Sequence, residues 1–282
     1  MYERAFGLST NPFRLTPDAG FYFASATHAR ALATLDYGLQ LGEGFVVLTG
    51  EVGSGKTMLI RTWMASVRSR HLDIAQLSAS ALGPADLLRL VLHALGLPGE
   101  HADTVSALTR IDDHLKTQTH RGRRVVLVVD EAQNLGLAAL EQLRLLTTIQ
   151  THDRAMLQVF LVGQPELHAT LARSEMNALR QRITAAARID RLSPNEVGPY
   201  IEHRLGCVGW QQAPTIEHGV FEILATAAEG IPRRINRLAD RLLLAAWLDE
   251  TRLIDMTSAH RVVIDLQEEL QFVAGSTTEE SD

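Results

Sequence analysis

Residues 45–57 read FVVLTGEVGSGKT, and the helix-forming run MLIRTW follows at once. Five apolar, strand-favouring residues, a loop with glycine at 50, 53 and 55, and an amphipathic run make a strand, loop and helix in that order. The loop matches the spacing Gly, four residues, Gly, Lys, Ser or Thr, filled by Gly50, Gly55, Lys56 and Thr57. Glycines permit backbone conformations and close approaches that a Cβ forbids, so successive N–H groups can face phosphate oxygens, and the helix behind adds the positive end of its dipole. The stretch Gly50, Glu51, Val52, Gly53, Ser54, Gly55, Lys56, Thr57 and Met58 is therefore expected to hold the phosphates of a nucleotide.

The lysine is informative. Of 27 basic residues only Lys56 and Lys116 are lysine, the rest being arginine. A planar guanidinium needs room and fixed directions, whereas a compact ammonium on a flexible stem reaches β- and γ-phosphates from inside a tight loop. Thr57 offers a hydroxyl to Mg²⁺, a cation that keeps several waters and takes few protein ligands.

A second apolar strand, RVVLVVDEAQ (124–133), ends in Asp130 and Glu131. Asp130 at the strand end suits Mg²⁺, and Glu131 beside it suits the orientation and deprotonation of an attacking water. The pair points to hydrolysis rather than to phosphoryl transfer onto a small acceptor, which leaves a P-loop kinase as a weak rival.

Outward from these two stretches the chain is ordinary. Its 282 residues suit one large domain or a main domain with a smaller one, and 46% apolar with 21% charged residues excludes a disordered or fibrous chain. A net charge of −6 disfavours unaided binding to nucleic acid. Cys207 is the single cysteine, so no disulfide framework or cysteine metal site is expected, and it reads as a small buried residue. The eleven histidines lack metal-ligand spacing, and HRGRR (120–124) reads as a solvated turn. The start of the chain lacks the pattern of a secretory signal, and no apolar run approaches the ~18 residues that span a bilayer. The expected location is cytoplasmic, with any attachment to the inner membrane made through a partner.

Further buried strands are expected at 73–78 (DIAQLS), 157–162 (LQVFLV) and 187–192 (ARIDRL), alternating with helices such as the one carrying Leu137, Leu140, Leu143 and Leu146. Strands alternating with helices imply an α/β fold with a five-stranded parallel sheet covered on both faces. After 192 no convincing strand follows. Ser193, Pro194 and Glu196 open a helix as cap, first-turn proline and capping-box acid, and three more helices are expected near 216–228, 232–247 and 258–271. The expected organisation is 1–43 flanking the nucleotide site, 44–192 the P-loop α/β domain, 193–271 a small all-helical lid and 272–282 an acidic tail.

The sequence FGLSTNPFRLTPD (6–18), the phosphate loop, VVDEAQNL (128–135), FLVGQPEL (160–167), LRQRI (179–183), YIEHRL (200–205) and GIPRRINRLADRLLL (230–244) together resemble the ExeA/GspA-type AAA+ ATPases of bacterial secretion loci, within the additional-strand P-loop class. The nearest likeness is to the subfamily found beside exosortase (PEP-CTERM) and exopolysaccharide genes. It covers residue 2 to about 270; longer family members continue into a membrane span and a peptidoglycan-binding part.

The resemblance implies ATP and Mg²⁺ as cofactors, assembly of like subunits, and a task in driving or regulating a partner in envelope polysaccharide or protein export. It implies Gln164 as the polar sensor between water, γ-phosphate and Glu131, with Gln133 the alternative. It implies Arg182 as the arginine finger given to a neighbouring subunit, with Arg180 in reserve, and Arg233 as a lid arginine on the γ-phosphate, with Arg234 beside it. Phe6, Pro12 and Phe13 would pack near adenine or cover the sheet edge. The rival function is a DNA-associated AAA+ regulator of the transposition type.

Overall fold

The computed structural model describes residues 1–16, 18–68, 71–79, 84–99, 102–151 and 154–275. Two compact units result: Ala26–Val52 with Lys56–Asp190, and Met1–Ser25 with Gly53–Gly55 and the chain from Arg191 onward.

The first unit is α/β. Its sheet comprises β1 (Phe45–Gly50), β2 (Leu72–Ser78), β3 (Arg124–Asp130), β4 (Leu157–Gly163) and β5 (Ile183–Ile189), in the order β2-β3-β4-β1-β5. Every neighbouring pair is parallel. The central strands β1 and β4 are buried throughout and β3 is buried from Val125 on, as strands covered on both faces must be. Register brings Thr49 opposite Gly163 and Ser78 opposite Asp130, so β1, β3 and β4 finish at one end of the sheet.

One face packs Phe45, Val47, Leu127 and Val129 against α3 (Pro84–Ala94), α4 (Thr104–His120) and α5 (Leu137–Leu146) through Leu87, Ile111, Leu140 and Leu143. Other strand residues meet α1 (Ala26–Leu41) and α2 (Lys56–Val67): the Trp63 and Phe160 rings are 4.6 Å apart, and Gly38 lets α1 approach so closely that a Cβ there would lie 2.5 Å from Val46. Burial of each such side chain contributes roughly 1.5–3 kcal/mol.

The expected strand at 187–192 is displaced: β5 runs from Ile183 to Ile189. Its middle is Thr184 and three alanines, which give little apolar signal, and only Ala185 and Ile189 are buried because β5 lies at the sheet edge. Leu192 turns instead to the other unit, where its N–H donates to Gly230 O at 2.8 Å.

The second unit is mainly helical: α7 (Pro194–Gly206), α8 (His218–Ala227), α9 (Pro232–Leu248) and α10 (Met256–Gly275), α6 being Glu166–Ala172 in the first unit. The Glu196 carboxylate accepts the Ser193 N–H and hydroxyl, each at 2.9 Å, closing the expected helix start. A short parallel pairing of Thr215–Ile216 with Leu253–Ile254 adds strand where none was expected. Residues 276–282, most of the expected acidic tail, lie outside the described residues.

The amino-terminal segment departs from expectation. Residues 1–43 do not act as one flanking piece: the division falls after Ser25, and α1 belongs with the sheet. Phe6, Phe13 and Phe21 are buried with Val197, Ile201, Leu242 and Leu243 in the helical core, rather than covering the sheet edge. Arg204, 4% exposed, fastens the segment by donating from Nε to Pro12 O at 2.6 Å and from Nη2 to Arg14 O at 3.3 Å. Its guanidinium lies 4.9 Å from the Phe21 ring centre, so a buried charge is fully engaged. Cys207, expected inside, is exposed at the carboxyl end of α7.

Candidate nucleotide site

The loop between β1 and α2 turns on Gly53 (φ +82°) and Gly55 (φ +99°), conformations open to glycine and costly for other residues. Lys56 begins α2 and is only 6% exposed. Its Nζ donates to Gly50 O at 2.8 Å and Glu51 O at 3.0 Å, so the ammonium is folded inside its own loop. Val52 stands out at the loop tip, and Ser54 is buried.

The other half of the site comes from β3. Thr57 Oγ1 donates to Asp130 Oδ2 at 3.2 Å, and the Glu131 N–H donates to Asp130 Oδ1 at 3.0 Å. Burial raises the Asp130 carboxyl above the ordinary aspartate range, with the Glu131 charge acting the same way, against the Glu131 N–H, Thr57 and Lys56. A buried carboxylate held beside a hydroxyl is a donor set for a small hard cation: ligands at ~2.1 Å in an octahedron stand about 3 Å apart, and these two oxygens are 3.2 Å apart.

Glu131 lies in the left-handed region (φ 55°) directly after β3. Its Oε2 accepts from Gln133 Nε2 at 2.6 Å and from Gln164 Nε2 at 3.3 Å, while the Gln164 N–H donates to Gln133 Oε1 at 2.9 Å. Both glutamines considered as sensor therefore converge on the same carboxylate oxygen. The sequence pointed to each separately; their direct bond carried no local signal. Sequence reasoning also missed His168 on α6, whose Nε2 lies 2.8 Å from Thr49 Oγ1 on β1. Among the described residues no group of three or more His, Cys, Asp or Glu side chains could hold a metal ion.

The arginines are placed apart. Phe45 pairs with Ile183 and Gly50 with Ile189, so Arg182 lies at the end of the sheet opposite the phosphate loop. Six residue steps of β5 separate the ends, about 20 Å. Arg180 is tied by Nη1 to Leu171 O at 2.9 Å and by Nη2 to Asn177 Oδ1 at 3.2 Å, whereas the Arg182 guanidinium reaches Thr147 O only at 3.4 Å. In the helical unit, which includes Gly53, the Arg233 N–H donates to Gly53 O at 3.2 Å. Arg234 pairs with Glu229 at 2.7 Å.

A parallel sheet in this order, with β4 between the phosphate-loop strand and the strand of the acidic pair, is the AAA P-loop NTPase fold. A family model described as an AAA domain matches residues 40–171. The chain is 41% identical over 248 residues to General secretion pathway protein A of Aeromonas hydrophila, which supports the ExeA/GspA-type resemblance. The alignment covers 88% of this chain and 45% of that protein, so the chain spans less than half the length of this relative.

Among solved structures, the ORC2 protein of Aeropyrum pernix in ADPNP-ADP complexes has a TM-score of 0.66 at 16% identity, covering 90% of this chain and 71% of that one. Cdc6p of Pyrobaculum aerophilum gives 0.66 at 17%, covering 85% and 68%. The Holliday junction branch migration motor RuvB of Thermotoga maritima gives 0.59 at 19%, covering 90% and 73%. At such identities the likeness carries the fold alone.

Proposed function

We propose that this chain is an ATP hydrolase that drives or regulates a partner in export across the bacterial envelope. The observation that carries the activity is the convergence of Lys56, Thr57, Asp130, Glu131 and Gln164 at the ends of three adjacent strands, with the Glu131 carboxylate beside a cation-suited donor pair. The loop N–H groups and Lys56 would hold the β- and γ-phosphates, Lys56 exchanging its carbonyl partners for phosphate oxygens. Thr57 and Asp130 would hold Mg²⁺, which neutralises charge on the phosphates when bound. Glu131 would take a proton from the attacking water, a contribution of about 10²–10⁴ in rate, and the Gln164 amide would orient that water.

Arg182 is proposed to act on a neighbouring copy, since about 20 Å separates it from its own loop. Arg180 is the weaker candidate because helix-end acceptors already occupy it. Arg233 is proposed as the lid arginine; its neighbour Arg234 is held by Glu229. The export task, including the finer link to exosortase and exopolysaccharide systems, rests on the resemblance and on the secretion-pathway relative. Nothing observed favours the DNA-associated alternative, and the net charge of −6 disfavours it.

Phosphate release from ATP tests the activity. Wild-type protein should release phosphate with Mg²⁺ and stop with excess EDTA, and Lys56→Ala should lose nucleotide binding. Equal rates for wild type and Lys56→Ala would overturn the proposal.

A further inference from the structure

Gln133 presents both ends of its amide to the site. Nε2 donates to Glu131 Oε2 at 2.6 Å, and Oε1 accepts the Gln164 backbone N–H at 2.9 Å. The reverse amide orientation would set an oxygen against a carboxylate and an NH₂ against an N–H, so the surroundings allow only this one. The two groups it joins come from different strands, Glu131 following β3 and Gln164 following β4.

The fold makes room for this amide. Gly163 ends β4 directly before Gln164, and a Cβ on it would lie 2.9 Å from Gln133 Oε1 and 3.2 Å from Leu167 Cδ2. Its φ is not among the positive ones, so space rather than backbone conformation explains the glycine. On the other side of the same turn, α6 begins at Glu166 and His168 reaches Thr49 on β1. The turn carrying Gln164 is thus held from the β3 side by Gln133 and from the β1 side by His168.

We propose that Gln133 is a positioning residue, neither sensor nor base: its amide clamps the Glu131 carboxylate to the Gln164 turn, and Gly163 is the recess that admits it. The clamp rests on the hydrolase reading for its kinetic consequence and on geometry alone for its structural one. A short bond to Glu131 restricts that carboxylate to one orientation, and the bond to the Gln164 N–H sets the distance between base and sensor. Such preorganisation acts on kcat and leaves phosphate binding by the loop untouched.

Two variants separate the arms. Gln133→Ala removes both bonds. Gln133→Glu keeps an acceptor for the Gln164 N–H and replaces the donor facing Glu131 with a second carboxylate. ATP turnover, fluorescent ATP-analogue binding, and hydrogen exchange of the peptide containing Gln164 are measured for each, with Gly163→Ala and the double variant Gly163→Ala/Gln133→Ala.

The expected results are a fall in kcat of roughly 10- to 100-fold for Gln133→Ala with analogue affinity unchanged, and faster exchange of the Gln164 amide. Gln133→Glu should lose kcat while the Gln164 amide stays protected. Gly163→Ala should slow turnover in the wild-type background and cost little more in the Gln133→Ala background, the non-additivity expected of groups in contact. Unchanged kcat in Gln133→Ala, or fully additive effects of the two substitutions, would overturn the proposal. If wild type hydrolyses no ATP yet Gln133→Ala still deprotects Gln164, the clamp stands and the hydrolase reading falls.

Discussion

Replacement of Arg182 by alanine separates a site completed by a neighbour from one contained in a single chain. The register of β1 with β5 sets Arg182 one residue beyond the far end of β5, whose six residue steps span about 20 Å, so the strand ends that carry the loop are beyond the reach of its side chain. Its side-chain bond to Thr147 O, at 3.4 Å, is long, so the substitution should change stability by no more than about 0.5 kcal/mol. A finger entering the site of a second copy is worth ~10³–10⁵ in rate, or roughly 4–7 kcal/mol of barrier.

The assay is the ATPase rate per molecule against protein concentration. For wild type it should climb as subunits meet, and for Arg182→Ala it should stay near background at every concentration. Mixing Arg182→Ala with Lys56→Ala, each inactive alone, should restore about a quarter of the wild-type rate if chains pair at random across a heterologous interface. A flat wild-type curve together with an Arg182→Ala protein as active as wild type would refute the reasoning.

Two further substitutions test the site and the core. Asp130→Asn should abolish Mg²⁺-dependent turnover while stabilising the metal-free fold near neutral pH. Burial raises the Asp130 carboxyl above its unfolded value, so the charged form is a penalty at neutral pH that fades as pH falls through the folded pKa; urea unfolding with EDTA should show the two proteins converging as pH is lowered. Trp63→Ala removes a fully buried ring packed on Phe160 and should cost about 3–5 kcal/mol in the same unfolding measurement.

The parts of the site legible in the sequence are those encoded locally. The loop could be read because strand, glycines, Lys56 and helix are contiguous, and Asp130 and Glu131 because an uninterrupted apolar strand leads into them. What stayed hidden depends on distant partners. Phe6 and Phe13 are plainly apolar, but Ile201 and Leu243 in the same core lie far along the chain, and no periodicity reports such a contact. The edge strand β5 is displaced from the expected 187–192 because its alanines are weakly apolar, while Leu192, the next apolar residue beyond it, serves the helical unit instead. Gln133 and Gln164 could be named but not related, since their bond exists only once β3 and β4 lie side by side.

The most direct test of the hydrolase reading is Glu131→Gln, which keeps the shape of the side chain and removes its basicity. Filter-bound ATP and released phosphate are measured on the same sample with Mg²⁺. The expected result is a protein that retains ATP as tightly as wild type and cleaves it at least about 100-fold more slowly. Cleavage at the wild-type rate would contradict the assignment of Glu131 as the base, and failure of both proteins to bind ATP would contradict the reading of the site itself.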